Sequence, residues 1–225
     1  MISVIVPVLD EAERLGGALA PLQAERGGRL EIIVVDGGSR DNSLEIARPL
    51  CDRVLMSRRG RARQMNAGAR AARGDTLLFL HADTRLTPPA RARLSALEQS
   101  PWGRFDVTLK GREPLFRLIS TLMNLRSRLT GIATGDQAIF VRRDLFWRIG
   151  GYPEIALMED LALSRHLKNH ARPVCLRETI EVSARYWRQR GIIRGILTMW
   201  AVRAAWSLGA SPRLLHRIYY GKQPS

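Results

Sequence analysis

Apolar positions in the first eighty residues fall in short, nearly unbroken runs. Residues 2–8, 30–35 and 76–80 lack regular polar alternation, so each reads as a strand covered on both faces. Helical spacing fills the gaps. Leu15, Leu19 and Leu22 recur at i, i+4 and i+7 within residues 11–23, residues 41–50 predict a second helix capped near Ser39 or Asp41, and residues 60–73 open at a glycine and run Ala-rich. A short strand over 52–56 separates the last two helices. This βαβαβ order predicts a doubly wound, mainly parallel sheet flanked by helices, with a ligand crevice at the C-terminal strand ends.

Every run stops at carboxylates. Asp10 and Glu11 follow the first, Asp36 ends the second ahead of Gly37, Gly38 and Ser39, and Asp83 follows the third. Acids delivered to one sheet edge describe a site for a polar, phosphorylated ligand. No G-x-G-x-x-G or P-loop pattern follows any strand, which disfavours hydride chemistry and P-loop phosphoryl transfer.

Two later segments bear on partners. Residues 115–129 place Leu115, Phe116, Leu118, Ile119, Leu122, Met123, Leu125 and Leu129 on one helical face, with Arg117, Asn124 and Arg128 opposite and Arg126 intruding. A core helix is expected, with a membrane-resting helix as the alternative. Residues 192–208 are apolar almost all round. A crossing helix needs about 20 apolar residues and each central Arg costs roughly 2.5 to 3.5 kcal/mol, so Arg194 and Arg203 argue against a span. Membrane contact, a dimer interface and packing on the sheet stay open, and Trp187, Trp200 and Trp206 among arginines keep peripheral membrane association among them.

The 225 residues carry 36 Lys+Arg against 21 Asp+Glu, a formal +15. The first hundred residues hold 15 basic and 12 acidic groups and the remainder 21 and 9, so the excess sits in the second half. Arg supplies 33 of the cations, which suits forked phosphate binding, although codon bias would give the same count. Zinc-finger spacing, aromatic RNP motifs and basic-zipper heptads are missing, so no nucleic-acid partner is expected. Cys51 and Cys175 make no disulfide framework and read as reduced thiols. The opening residues form a strand without a charged stretch and apolar core ahead of it, so a cytoplasmic location is expected.

Four ordered segments resemble the inverting nucleotide-sugar glycosyltransferases of family 2. They are SVIVPVLDEAERL, EIIVVDGGSRDNS, GRARQMNAGARAARGD before LLFLHADTRL, and MEDLALSRHL, together spanning residues 2 to about 167. More narrowly, HADT with GDQAIFVRRDLF and a short tail is similar to small stand-alone members linked with radical-SAM neighbours and proposed for arsenosugar formation.

The resemblance implies an α/β chain of GT-A fold with a helical C-terminal segment. Residues 1–190 would form the transferase domain, divided into a nucleotide-binding half (1–110) and an acceptor and catalytic half (111–190), and 191–225 a helical extension. It implies a nucleotide-diphosphate sugar donor, with Pro7, Asp10, Glu11, Asp36, Arg61, Arg63, Asn66, Gly68, Ala82 and Asp83 around it, and Mg²⁺ or Mn²⁺ on Asp83. His81 stands where the family has the first acid of D-x-D, and imidazole tolerates Mn²⁺ better. Asp160 matches the catalytic base, with Glu159 as neighbour or alternate. A carboxylate there takes the proton of an acceptor hydroxyl as it attacks the anomeric carbon opposite the departing diphosphate. Gly135, Asp136 and Gln137 would border the acceptor, Arg185 clamp the diphosphate and Trp187 stack on a sugar.

Plainer readings stand beside these. Asp36 and Asp136 suit turns, Glu11 suits a first helical turn, His81 suits a hydrogen-bonded pocket position, and Glu159 with Asp160 suits a helix N-terminus. A sugar nucleotidyltransferase shares such a sheet but wants a Gly-rich basic loop where VLDEAERL stands. A non-catalytic nucleotide-sugar-binding protein is the rival from another class. The expected partners are the donor and a small-molecule or lipid-linked acceptor, the latter met on the cytoplasmic face of a membrane.

Overall fold

In the computed structural model, which describes residues 1–220, the chain opens with β1 (Ile2–Val8), α1 (Ala12–Leu19), β2 (Leu30–Asp36), α2 (Ser43–Leu50), β3 (Arg53–Met56), α3 (Arg61–Ala71) and β4 (Thr76–Phe79). These four strands are parallel, with Val4 registered on Ile32 on one side and on Leu78 on the other. Val4, Val6, Ile32, Val34 and Leu78 pack into a core on one face, and Ile5, Ile33, Val35, Leu77 and Phe79 into a core on the other. That two-sided burial is why the runs show no polar alternation.

Pro7 sits inside this central strand, opposite Val35, without leaving a gap in the ladder. The pairing of β1 with β4 ends at Ile5 and Phe79, so the N–H that proline lacks would point past the end of β4.

The rest comprises β5 (Thr84–Leu86), α4 (Pro88–Ala92), β6 (Trp102–Lys110), α5 (Pro114–Thr130), β7 (Phe140–Arg142), α6 (Arg143–Arg148), α7 (Glu159–Lys168), β8 (Val174–Ser183), α8 (Arg185–Arg190), α9 (Ile192–Ser207) and α10 (Pro212–Tyr220). All eight strands join one sheet in the order β3-β2-β1-β4-β7-β6-β8-β5. β7 runs antiparallel to both β4 and β6, so the parallel half adjoins a mixed half.

Two local expectations change. α2 starts at Ser43 after Asn42, which makes no side-chain cap. Asp41 instead accepts from the N–H of Ser43 at 3.0 Å and of Ala12 at 3.0 Å, tying the starts of α1 and α2 together, while Ser39 turns to Asp36.

α5 is turned over relative to the helix expected from its leucines. Its polar side lies on β6: the N–H of Val107 donates to Asn124 Oδ1 at 2.9 Å, Asn124 Nδ2 donates to the Val107 carbonyl at 3.0 Å, and the Leu109 N–H donates to Ser120 Oγ at 3.0 Å. Fully buried Arg104 joins the same seam through Ser127 Oγ, the Asn124 carbonyl and Asp106. β6 presents peptide groups with no strand to satisfy them there, and an unpaired buried N–H costs more than an exposed leucine. Phe116 and Ile119 are buried, whereas Leu118, Leu122, Leu125 and Leu129 are exposed.

α9 and α10 close over the second half, where Val202 and Leu215 pack with Leu157, Met158 and Leu161. Among the described residues no helix is long and apolar enough to cross a membrane. Residues 221–225 of the expected helical extension lie outside the described residues.

Candidate functional site

A cleft of about 470 Å³ opens where the segment after β4 and the C-terminal ends of β6 and β8 meet α7 and α8. It gathers Arg61, His81, Asp83, Gly135, Asp136, Glu159, Asp160, Arg185 and Trp187, nine expected site residues drawn from both halves of the chain.

Backbone geometry brings the acids in. Met158 takes the left-handed conformation (φ 70°) just before α7, which turns Glu159 and Asp160 into the helix's first turn. That conformation costs a non-glycine residue roughly 1–2 kcal/mol, and such strain concentrates at functional sites. Asp160 Oδ2 accepts the Gly135 N–H at 2.7 Å and Oδ1 accepts the Leu161 N–H at 2.8 Å, so both oxygens are fixed in direction while each keeps acceptor capacity. Glu159 is buried and takes Arg61 Nη1 at 3.5 Å; burial raises its carboxyl above the ordinary range and Arg61 opposes the rise.

Asp83 is pushed up by burial, and Glu11 adds like charge against Arg185 and Arg61. Glu11 itself is held by Arg14 at 3.1 Å and Arg185 at 3.1 Å, which links the loop after β1 to the start of α8. Asp136 is raised by burial and by Asp160, although its bond from Thr134 Oγ1 counters this. His81 is driven down to about 3 by burial and by Arg61, so its imidazole is neutral. Its Nε2 is buried without a hydrogen-bond partner among the described residues, so the hydrogen-bonded pocket role is not met at that atom.

Other expected residues lie outside this cleft. Asp36 is fully buried, with its oxygens accepting from Gly38 N–H at 2.8 Å, Ser39 N–H at 3.0 Å and Ser39 Oγ, so it occupies the turn position. Exposed Asp10 (φ 54°) accepts the Arg40 N–H at 2.7 Å and ties the loop after β1 to the loop after β2. Arg63 pairs with Glu154 at 2.9 Å on the surface. Asn66 spends its amide on the N–H and carbonyl of Tyr152, at 3.0 and 2.8 Å. Gly68 is a packing glycine, since a Cβ there would stand 2.4 Å from Ile5 Cγ2. Ala82 packs in the core, Pro7 belongs to the sheet, and buried Gln137 completes a capping box with Thr134.

Sequence reasoning missed Gln64, which donates from Nε2 to the carbonyls of Val8 (2.8 Å) and Val35 (2.9 Å) and clamps the C-terminal ends of β1 and β2 together. Its sole signal was a polar residue on the buried side of an Ala-rich helix. Arg126, Arg203 and Tyr219 also reach the site's margin, from helices whose placement no local pattern reveals.

A divalent cation is implied by the sequence resemblance. Among the described residues no three His, Cys, Asp or Glu side chains converge as a complete ligand set. The residues do fit a cation shared with a diphosphate. Asp83 and Glu11 repel one another in a partly desolvated place, a neutral nitrogen of His81 is unmet nearby, and a cation bound through one or two carboxylates plus phosphates needs no protein cage.

Residues 3–101 match the family described as glycosyl transferase family 2. A PGL/p-HBAD biosynthesis glycosyltransferase of Mycobacterium bovis is 35% identical over 164 residues, covering 68% of this chain and 63% of that protein. An undecaprenyl-phosphate 4-deoxy-4-formamido-L-arabinose transferase of Pseudomonas savastanoi pv. phaseolicola is 29% identical over 155 residues, covering 63% and 46%. The chain thus spans less than two thirds of the length of these curated relatives. In structure it is similar to the mannosyltransferase PcManGT from Pyrobaculum calidifontis in complex with GDP-Man and Mn²⁺, with a TM-score of 0.62, 20% identity and coverage of 98% of this chain and 68% of that one. The fold is GT-A, as the sequence resemblance implied.

Proposed function

We propose that this chain, whose residues 3–101 match glycosyl transferase family 2 and whose fold is GT-A, transfers a sugar from a nucleotide-diphosphate donor to an acceptor hydroxyl with inversion. The observation that carries the reading is Asp160, fixed by the Gly135 N–H in the same cleft as Asp83, Arg61 and Arg185. In this reading residues 1–110 hold the nucleotide, 111–190 the acceptor and catalytic groups, and the helices from 191 to 220 form an extension.

The chemistry follows from charge. Asp160 takes the acceptor proton as the new bond forms, and its two backbone donors hold the carboxylate in line while leaving lone pairs for the hydroxyl. Arg61 and Arg185 oppose the negative charge that grows on the departing diphosphate. Glu159 holds Arg61 in place. Asp83, with His81 beside it, would hold the Mg²⁺ or Mn²⁺, which when bound supplies further positive charge at the leaving group. The complex of PcManGT with GDP-Man and Mn²⁺ supports both donor class and cation.

Acceptor identity divides the reading. The undecaprenyl-phosphate named for one relative favours a lipid-linked acceptor met at a membrane surface, while the narrower resemblance to small radical-SAM-associated members favours a small molecule. Calorimetric titration of the full chain with UDP, GDP, CDP and ADP, each with and without Mn²⁺, tests the donor side. Metal-dependent binding of one nucleotide is expected; binding of none in either condition overturns the reading.

A further inference from the structure

The leucine stripe of α5 is left uncovered: Leu118, Leu122, Leu125 and Leu129 stand at i, i+4, i+7 and i+11 and are 48% to 76% exposed. On α9, Ile193, Leu197 and Trp200 stand at i, i+4 and i+7 and are 64% to 75% exposed. An apolar groove of about 580 Å³ runs between the two helices, with Leu122, Leu125, Leu129 and Trp200 in its walls. Contiguous exposed apolar surface of this kind marks a binding site.

The groove does not end blindly. Trp187, Met199 and Arg203 line both it and the cleft that holds Asp160, so one molecule can lie in both. At the junction Arg126 of α5 and Arg203 of α9 bear on each other and on Asp136 and Asp160. Arg126 Nε and Nη2 are buried with no hydrogen-bond partner among the described residues. Burial and the like charge of Arg203 press its guanidinium down to about 10. Unmet donors on a buried cation are costly, and a forked oxyanion satisfies them.

We infer that the acceptor is a phosphate-bearing amphiphile, its head between Arg126 and Arg203 and its aliphatic chain in the groove between α5 and α9. The inference rests on the transferase reading for the meaning of "acceptor" and specifies that substrate's seat. Continuity selects the occupant. A surface that only adhered to a bilayer or to a second copy of the chain would have no use for a groove leading to two guanidiniums and the reacting carboxylate.

The test uses the full chain, with butyl, octyl and dodecyl phosphate, inorganic phosphate and dodecyl maltoside as probes. Binding is read from tryptophan fluorescence, since Trp187 and Trp200 line the groove. Each methylene is expected to tighten binding up to about 4-fold, so dodecyl phosphate should bind at least about 10-fold tighter than octyl phosphate, and inorganic phosphate weakly. Arg126→Gln and the surface change Leu122→Glu should each weaken dodecyl phosphate about 10-fold or more and leave nucleoside diphosphate affinity unchanged. Equal binding of dodecyl maltoside, indifference to Arg126→Gln, or binding to anionic phospholipid vesicles but not to monomeric amphiphile would each overturn the inference. Loss of amphiphile binding with nucleotide binding intact sinks this inference alone. Amphiphile binding without any nucleotide binding sinks the transferase reading and leaves the groove a lipid site.

Discussion

Gly135 donates its N–H to Asp160 Oδ2 at 2.7 Å, and on its other side a Cβ would stand 2.8 Å from the ring of His81. The residue that orients the carboxylate therefore has room for no side chain. Gly135→Ala should push either the imidazole or the Asp160 loop aside. Because a misplacement of about 1 Å can cost about 100-fold in rate, transfer is expected to fall 10- to 100-fold with nucleotide affinity little changed. Steady-state turnover of the variant checks this, and full activity of Gly135→Ala would show that this contact does not position the carboxylate.

Asp160→Asn keeps an oxygen for the Gly135 N–H but cannot take a proton. Turnover should drop roughly 10²- to 10⁴-fold, the usual contribution of a positioned base, while the Kd for the nucleoside diphosphate stays within about 3-fold. Equal loss of nucleotide binding would assign Asp160 to the donor instead.

The parallel half was readable because burial on both faces leaves a local mark. Val4, Ile5 and Val6, or Ile32, Ile33 and Val34, are unbroken apolar triplets. The mixed half was not readable: β8 alternates irregularly between exposed and buried positions, and β6 is nine residues whose partner lies more than seventy residues on. Of the site, three acids of the ordered motifs, Asp83, Glu159 and Asp160, meet in one cleft together with Asp136 of the GDQ segment, whereas Asp10 and Asp36 of the first two motifs are held in loops outside it. What the sequence could not express was consumption of polar groups by the fold. Asn66 looks like a donor-facing amide until Tyr152 takes both its ends, and α5 looks like a core helix until Asn124 is seen to serve β6.

Gly68→Ala sets two effects against each other. Alanine gains up to about 1 kcal/mol in a helix interior, but this Cβ would meet Ile5 Cγ2 at 2.4 Å and Val35 Cγ2 at 3.1 Å in the fully packed core between α3 and the sheet. Overpacking costs typically about 1–3 kcal/mol, so a net loss of stability is expected in urea unfolding. A stabilised variant would mean that α3 can lift from β1 at little cost.

Acid sensitivity should trace in part to Glu31, a buried carboxylate far from the cleft. Burial would raise its pKa, yet bonds from Ser3 Oγ, the N–H groups of Arg73 (2.6 Å) and Gly74 (3.3 Å), and Arg73 Nε (3.1 Å) outweigh it and hold the group below its ordinary 4.5. A depressed folded pKa stabilises the protein above the unfolded value, and that contribution is lost as pH falls through the folded one. Glu31→Gln should therefore cost about 1–3 kcal/mol at pH 7, where a charged acceptor is replaced by an amide in a site built of donors. The gap between wild type and variant should stay constant down to about pH 5 and narrow below it. Asp41 and Asp144, whose pKa values are also lowered, titrate in both proteins and cancel in the difference. Urea midpoints for the pair at pH 7, 5, 4 and 3.5 read the effect directly. Parallel curves across that range would show that the four donors do not discriminate the charged form of Glu31.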